Sequence, residues 1–254
     1  MGVGDRVVRQ VVLPTAAFAL LLVVWEAAVP LLHIQQIVLP RPSAVAVTMV
    51  EMAKPIAFHA SQTLYTTVVG FGAAVALGLL LGFAIGASMT VHDALYPLLV
   101  GFNSIPKAAV VPLLVMWFGV GTVPAVITAF LLAFFPVAVN VALGLATLEA
   151  ELRDVLRALG ASRWQIFVKV GAPRTMPMFF ASLKVAISSA FVGSVISETV
   201  AANAGIGYLM AVAASDFNTR LAFCGLFVLA AMGVLLYGLF AAVERRLTAW
   251  AYTE

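Results

Sequence analysis

Apolar residues run through this chain in long blocks separated by short polar stretches, and block length decides what each can form. The first block, Val11 to Leu32, exceeds the about 20 residues that cross a membrane and the roughly 7–15 of a cleaved signal peptide. Comparable blocks at 59–88, 94–118, 123–147, 176–200 and 221–243 bring the predicted transmembrane helices to six. Glu26, near the far end of the first block, reads as an acid reaching the interface. Pro40 and Pro42 in IVLPRPSAV predict an extended surface segment, followed by a short amphipathic helix over 44–53.

Patterning within the blocks adds detail. Gly70, Ala74, Gly78, Gly82 and Gly86 recur at every fourth position, a small-residue ridge that lets a second backbone approach. A packing face within one subunit is the expectation. Pro106 and Pro112 interrupt the third block and Pro136 the fourth, so both helices are expected inside the bundle, where neighbours can satisfy freed carbonyls. The fifth block is polar for a span, with Ser182, Lys184, Ser188, Ser189, Ser194, Ser197 and Glu198. Its serines and Glu198, with Lys107 and Asn140 in the third and fourth blocks, are the candidate lining of a translocation pathway. On a continuous third helix Lys107 would lie past mid-membrane, facing protein or water, with Glu198 or a serine of the fifth span as a partner. Residues 201–218, containing GIGYLM, are expected to form an outer loop.

Between the fourth and fifth blocks lies the one long charged segment, 148–175. Leu148, Leu152, Val155, Leu156 and Leu159 share a helical face, and Arg153, Asp154 and Arg157 stand off it. Gly160 can take a left-handed conformation and stop that helix. Ser162 and Gln165 have the spacing of a capping box for a second helix, and Pro173 is expected to end it. From the residues alone, a docking element and a solvated hairpin are equally good readings.

Two short helices about a fixed glycine, set between two spans, resemble the cytoplasmic EAA loop of bacterial binding-protein-dependent ABC importer permeases. Asp154, Val155 and Leu156 stand where that family has Glu-Ala-Ala, Gly160 at its glycine, and Val170-Gly171-Ala172-Pro173 at its closing proline. The triplet itself departs from the pattern beyond its acid. RALGASRWQIFVKV, IVLPRPSAV, IPKAAVVPLLVMWFGVGT and ETVAANAGIGYLM are similar to the nitrate, sulfonate and taurine branch, and cover most of the chain in order. The resemblance implies an all-α type I importer permease with a cytoplasmic two-helix coupling loop. It implies a pathway for a small solute, an anion such as nitrate, a sulfonate or taurine, with vitamin precursors and aromatic acids as alternatives. Leu152, Asp154, Val155, Leu156, Leu159, Gly160, Ala161 and Pro173 would form the contact with an ATPase. The implied partners are two ATPase subunits carrying ATP and Mg, a second permease copy (a homodimer), an extracellular or periplasmic substrate-binding protein, and membrane lipid. The implied location is the bacterial cytoplasmic membrane.

Composition narrows the classes. Hydrophobic residues make up 63% of the chain and charged residues 10%, with mean hydropathy +1.10. A soluble domain carries about 25% charged residues, so this is an integral membrane protein. Arg6, Arg9, Arg153, Arg157, Arg163, Lys169, Arg174, Arg245 and Arg246 fall on one predicted side, and Arg41, Lys54 and Arg220 on the other. That bias puts the charged loop and both termini in the cytoplasm, and basic residues confined to membrane boundaries give no footprint for nucleic acid. No phosphate-binding loop, His-Glu-x-x-His, Cys-x-x-Cys or Gly-x-Ser-x-Gly occurs, so neither an enzyme nor a cofactor in this chain is expected. Cys224, the single cysteine, reads as a buried inert thiol. The competing class is a self-contained secondary transporter or channel. It is disfavoured because no internal repeat shows and no acid falls mid-span.

Overall fold

A computed structural model describes residues 12–146 and 171–248, and between them 158–160, 162, 165 and 169. It is helical throughout, with no strand among the described residues. α1 (Leu13–Leu31) begins on a proline and is followed by α2 (Pro42–Glu51), entered through extended Arg41. α3 (Ala53–Ala87) starts before the expected position 59 and has 35 residues. At 1.5 Å per residue that is about 52 Å, more than the roughly 30 Å hydrocarbon core requires.

The third block departs from expectation. Instead of one span over 94–118 there are two helices, α4 (Met89–Ser104) and α5 (Lys107–Phe118), bent by 88°. Proline forces the residue before it out of helical geometry, and Ile105 (φ −71°, ψ 126°) and Pro106 (φ −62°, ψ 104°) are both extended. Pro112 lies inside α5 without ending it. This broken segment is also not interior: α4 buries no residue, and α5 only Val111 and Leu114.

α6 (Thr122–Ala146), α7 (Ala172–Ala201), α8 (Ile206–Ser215) and α9 (Thr219–Leu247) complete the chain. Five stretches among the described residues are long and apolar enough to cross a membrane, six if the bent α4–α5 pair is counted as one span. Where six continuous spans were expected, five are continuous and the third is broken.

The core is α3, α6 and α7. A methyl group built on Gly78 would come within 2.8 Å of Val137, and one on Gly82 within 2.6 Å of Val141. The small-residue ridge of α3 is thus its contact with α6, inside one subunit as expected. α7 crosses α6 just as closely, Gly193 lying against Thr128 and Ala129. Lipid offers no hydrophobic drive to join helices, so close van der Waals contact along these small residues holds the three together. Phe71, Val137, Val141, Phe180, Leu183 and Ile187 fill the space between them.

A second core joins Val45 of α2 and Ile56 of α3 to Ile206 and Leu209 of α8 and Leu221 and Cys224 of α9. Cys224 is fully buried, its thiol donating to the Val45 carbonyl at 3.3 Å. α1 touches the rest through Trp25, which packs on Phe223 and Phe227. Glu26 does more than reach the interface. Its carboxylate accepts from the Ser43 N–H (2.9 Å) and hydroxyl (2.7 Å), neutralising the open first turn of α2.

Candidate functional site

The C-terminal end of α7 carries Glu198, only 2% exposed. Here the expected outer loop is a short helix. Gly205 (φ +113°) turns the chain and α8 folds back along α7, bringing Gly207 within 2.6 Å of contact with the Val195 carbonyl, as judged from a built methyl group. The first N–H groups of a helix have no partner within it, and α8 hands them to its neighbours. Gly205 N–H donates to His59 Nδ1 (3.1 Å), Ile206 N–H to Thr63 Oγ1 (2.8 Å) and Gly207 N–H to Glu198 Oε2 (3.1 Å). Thr63 in turn donates to Glu198 Oε2 (2.8 Å), and Thr66 to Oε1 (3.2 Å). Glu198 is therefore the centre of a buried polar junction of α3, α7 and α8. A side chain on Gly205 would collide with its carboxyl group, and the positive φ already favours glycine. A small cavity of about 100 Å³, bordered by Gln62, Thr66, Thr122 and Asn203, adjoins the carboxylate.

The other expected pathway residues do not gather around it. Asn140 donates its amide to Pro136 O at 2.8 Å, and Ser188 its hydroxyl to Lys184 O at 3.0 Å, both within their own helices. The hydroxyls of Ser194 and Ser197 are fully buried and find no partner. Lys107 reaches neither Glu198 nor a serine of α7, because the 88° break turns it away from the line of a continuous helix. Its ammonium donates to the backbone carbonyl of Asn103 and, at 2.7 Å, to Asn103 Oδ1. Together they border a cavity of about 590 Å³ between α3, α4, α5 and α6, walled by aromatic rings that include Phe102, Trp117, Phe130 and Phe134.

At the opposite end, Gly144 of α6 lies against Thr175 of α7, so the charged loop leaves and re-enters the bundle at adjacent points. Gly160 is left-handed at φ +83°, with open space around it. Ser162 and Gln165 form the reciprocal capping box: Ser162 N–H to Gln165 Oε1 at 2.9 Å and Gln165 N–H to Ser162 Oγ at 3.2 Å. Leu159 is exposed. Leu152, Asp154, Val155, Leu156 and Ala161 lie outside the described residues. Pro173 lies in the first turn of α7, where the missing N–H costs nothing. Near the middle of α7, Lys184 pairs with Glu244 of α9 at 2.5 Å, with Glu244 buried.

Sequence reasoning missed Thr63 and Thr66 as partners of Glu198, His59 as the acceptor for the Gly205 N–H, and the Lys184–Glu244 pair. Signals existed for both: three threonines, Thr63, Thr66 and Thr67, close together in α3, and a single lysine, Lys184, inside the apolar fifth block. Only tertiary contact could match them.

Comparison with known proteins fits this arrangement. Residues 74–249 match the model of the family described as "Binding-protein-dependent transport system inner membrane component". The chain is 30% identical to the formylaminopyrimidine transport permease protein of Halalkalibacterium halodurans, over 95% of this chain and 96% of that one. It is 30% identical to the taurine transport system permease protein of Escherichia coli (95% and 90% covered). It is 34% identical to the riboflavin transport system permease protein of Chloroflexus aurantiacus (91% and 87% covered). The fold is similar to a chain of the inward-facing MetNI methionine ABC transporter, with TM-score 0.68 at 18% identity, covering 79% of this chain and 98% of that one. Six apolar segments around a glycine-turned charged loop, a type I importer architecture and relatives matched over nearly their whole length all agree: the chain belongs to the binding-protein-dependent inner-membrane transport family and is the permease subunit of an ABC importer.

Proposed function

We propose that this permease works as one of two identical copies, receives a small organic anion from a substrate-binding protein, and is driven by two separate ATPase subunits that hold ATP and Mg. The observation that carries the coupling role is the left-handed Gly160 with its capping box at Ser162 and Gln165, in a loop whose two feet are adjacent. With exposed Leu159 beside its turn, such a loop is suited to seating in a groove on an ATPase. When the ATPases close, force on the loop is carried to α6 and α7, a rigid-body transition between access states. Membrane insertion with both termini and this loop in the cytoplasm is supported by the lysine and arginine bias. The relatives named for taurine and for aliphatic sulfonates support an organic anion as cargo.

Gly160 supplies the test. Nothing crowds its position, so a substitution acts through the backbone alone. A left-handed conformation costs about 1–2 kcal/mol for a residue with a Cβ. Gly160→Val should insert in normal amount but lose ATP-driven uptake, while Gly160→Asn, which tolerates left-handed geometry, keeps a large part of it. Uptake by Gly160→Val at the parent rate would remove the loop from the coupling mechanism.

A further inference from the structure

The turn into α8 is held from α3 by two side chains, Thr63 and His59. A threonine hydroxyl keeps its bonding capacity at any physiological pH, and an imidazole does not. The donor at Gly205 is a backbone N–H, so His59 Nδ1 must meet it with a lone pair. The ring is then neutral, with its proton on Nε2. A second proton would place an N–H on Nδ1, facing the N–H of Gly205 across 3.1 Å, and donor would stand against donor.

We infer that His59 is a pH-sensitive latch on this turn: the neutral ring holds residues 202–205 against α3, and the protonated ring releases them and opens the junction at Glu198. What the latch holds is a partition. On one side lies the cavity of about 100 Å³ bordered by Gln62, Thr66 and Asn203. On the other is a groove of about 270 Å³ along α7 and α8, bordered by Thr199, Tyr208 and Ser215. Glu198 and Ala202 border both. With the turn in place the two spaces are separate and Glu198 is buried. With the turn released they join, and water reaches the carboxyl group.

The sign follows from the bond. Only the neutral ring makes it, and an imidazole ordinarily takes its second proton near about pH 6.5, so the latch is closed above that pH and opens as pH falls through it. Neighbouring groups provide no substitute acceptor in the closed arrangement. α8 presents Tyr208, its ring 5.8 Å from the imidazole, and α7 presents Glu198, which Gly205 also touches. Glu51 at the end of α2 and Lys54 at the start of α3 are exposed, and α6 has no titratable residue. None of these forms an ion pair with His59 among the described residues. Once charged, the ring is drawn toward Glu198, and Gly205 stands in the way. Loss of the bond and this attraction therefore both act to displace the turn. Under the proposed topology this end of the bundle faces the exterior, and the inference rests on that reading only for which compartment's pH is sensed.

The test uses the full-length permease in phosphatidylcholine nanodiscs, with Cys224→Ala and Ala202→Cys. Modification of the new cysteine by uncharged N-ethylmaleimide is timed in the folded chain and, at the same pH, in the unfolded chain; the ratio cancels the ionisation of the thiol. Protection in the parent is expected to fall about ten-fold from about pH 8 to about pH 5.5, as loss of one hydrogen bond implies. In His59→Asn, whose Oδ1 can take the place of Nδ1 but does not titrate, protection should stay within about two-fold over the same range. His59→Phe has no acceptor and should label at the acid rate at both pH values. An equal fall in the parent and in His59→Asn would overturn the latch and assign the response to Glu198. Constant protection in the parent would overturn it whether or not either variant assembles. Both faces are open in a nanodisc, so the result judges the latch whichever way the chain lies in the membrane.

Discussion

Glu198 shows at the scale of one residue how a membrane protein holds an acid in its interior. Three donors meet it: two threonine hydroxyls and the N–H of Gly207, itself at the positive end of a helix. The junction stands only if each donor keeps its partner, since an unsatisfied buried polar group costs about 1–3 kcal/mol. Thr63 is the most exposed to loss because it relays between Ile206 and Glu198. Thr63→Val keeps the shape and removes both bonds; it should lower the thermal midpoint of the detergent-solubilised protein by several degrees, whereas Thr63→Ser should lie near the parent. Equal midpoints for the two would mean that α8 is held by its apolar face and not by this relay. The carboxylate was legible in the sequence as a polar group near the outer end of a span. Its role as an anchor was not, because its partners lie 132 and 135 residues away.

The elements are joined by the same logic at two levels of the bundle. At the C-terminal end of α7, α8 is tied to α3 and α7 by its first turn; near the middle of α7, α9 is tied to it by Lys184 and Glu244. α9 otherwise packs through one face, Leu236, Phe240 and Val243 meeting the main core, and leaves Val234, Leu235 and Leu239 exposed on the other. Removing one member of a buried pair strands the other charge, at about 3–5 kcal/mol, while replacing both with apolar groups is often neutral. Glu244→Gln should therefore reduce the yield of folded permease, and the double substitution Lys184→Met with Glu244→Met should restore most of it, as judged by the recovered monodisperse fraction on gel filtration. If the double substitution is as poor as the single one, the pair contributes through hydrogen bonding to groups beyond the two side chains. At this scale the small-residue ridge of α3 was readable from its period alone, since a four-residue repeat of glycine has few uses except close helix contact.

For the whole molecule, orientation follows from charge and is open to a direct check. Single cysteines at Ser43 and Asn203, in a chain with Cys224 replaced by Ala, should react with an impermeant thiol reagent added to intact cells, and a cysteine at Ser162 should react only after lysis. Labelling of Ser162 from outside would invert the topology and place the coupling hairpin on the wrong side for an ATPase. The three positions are well chosen structurally. Ser43 caps onto Glu26 at the start of α2, Asn203 borders the small outer cavity, and Ser162 is exposed in the charged loop.

The sequence by itself determined the class, the apolar segments, and the Gly160 turn with its capping box. Each of these is a local or additive property: block length, charge count, backbone permissiveness, a spacing of three residues. Tertiary structure alone decided that Pro106 breaks the third segment while Pro112 does not, that GIGYLM is a helix folded back on α7, and that Lys107 partners Asn103 and not Glu198. The physical reason is common to all three. In an apolar surrounding every polar group must find a partner, and which partner lies within 3 Å depends on how separate helices cross, a quantity that no local pattern encodes.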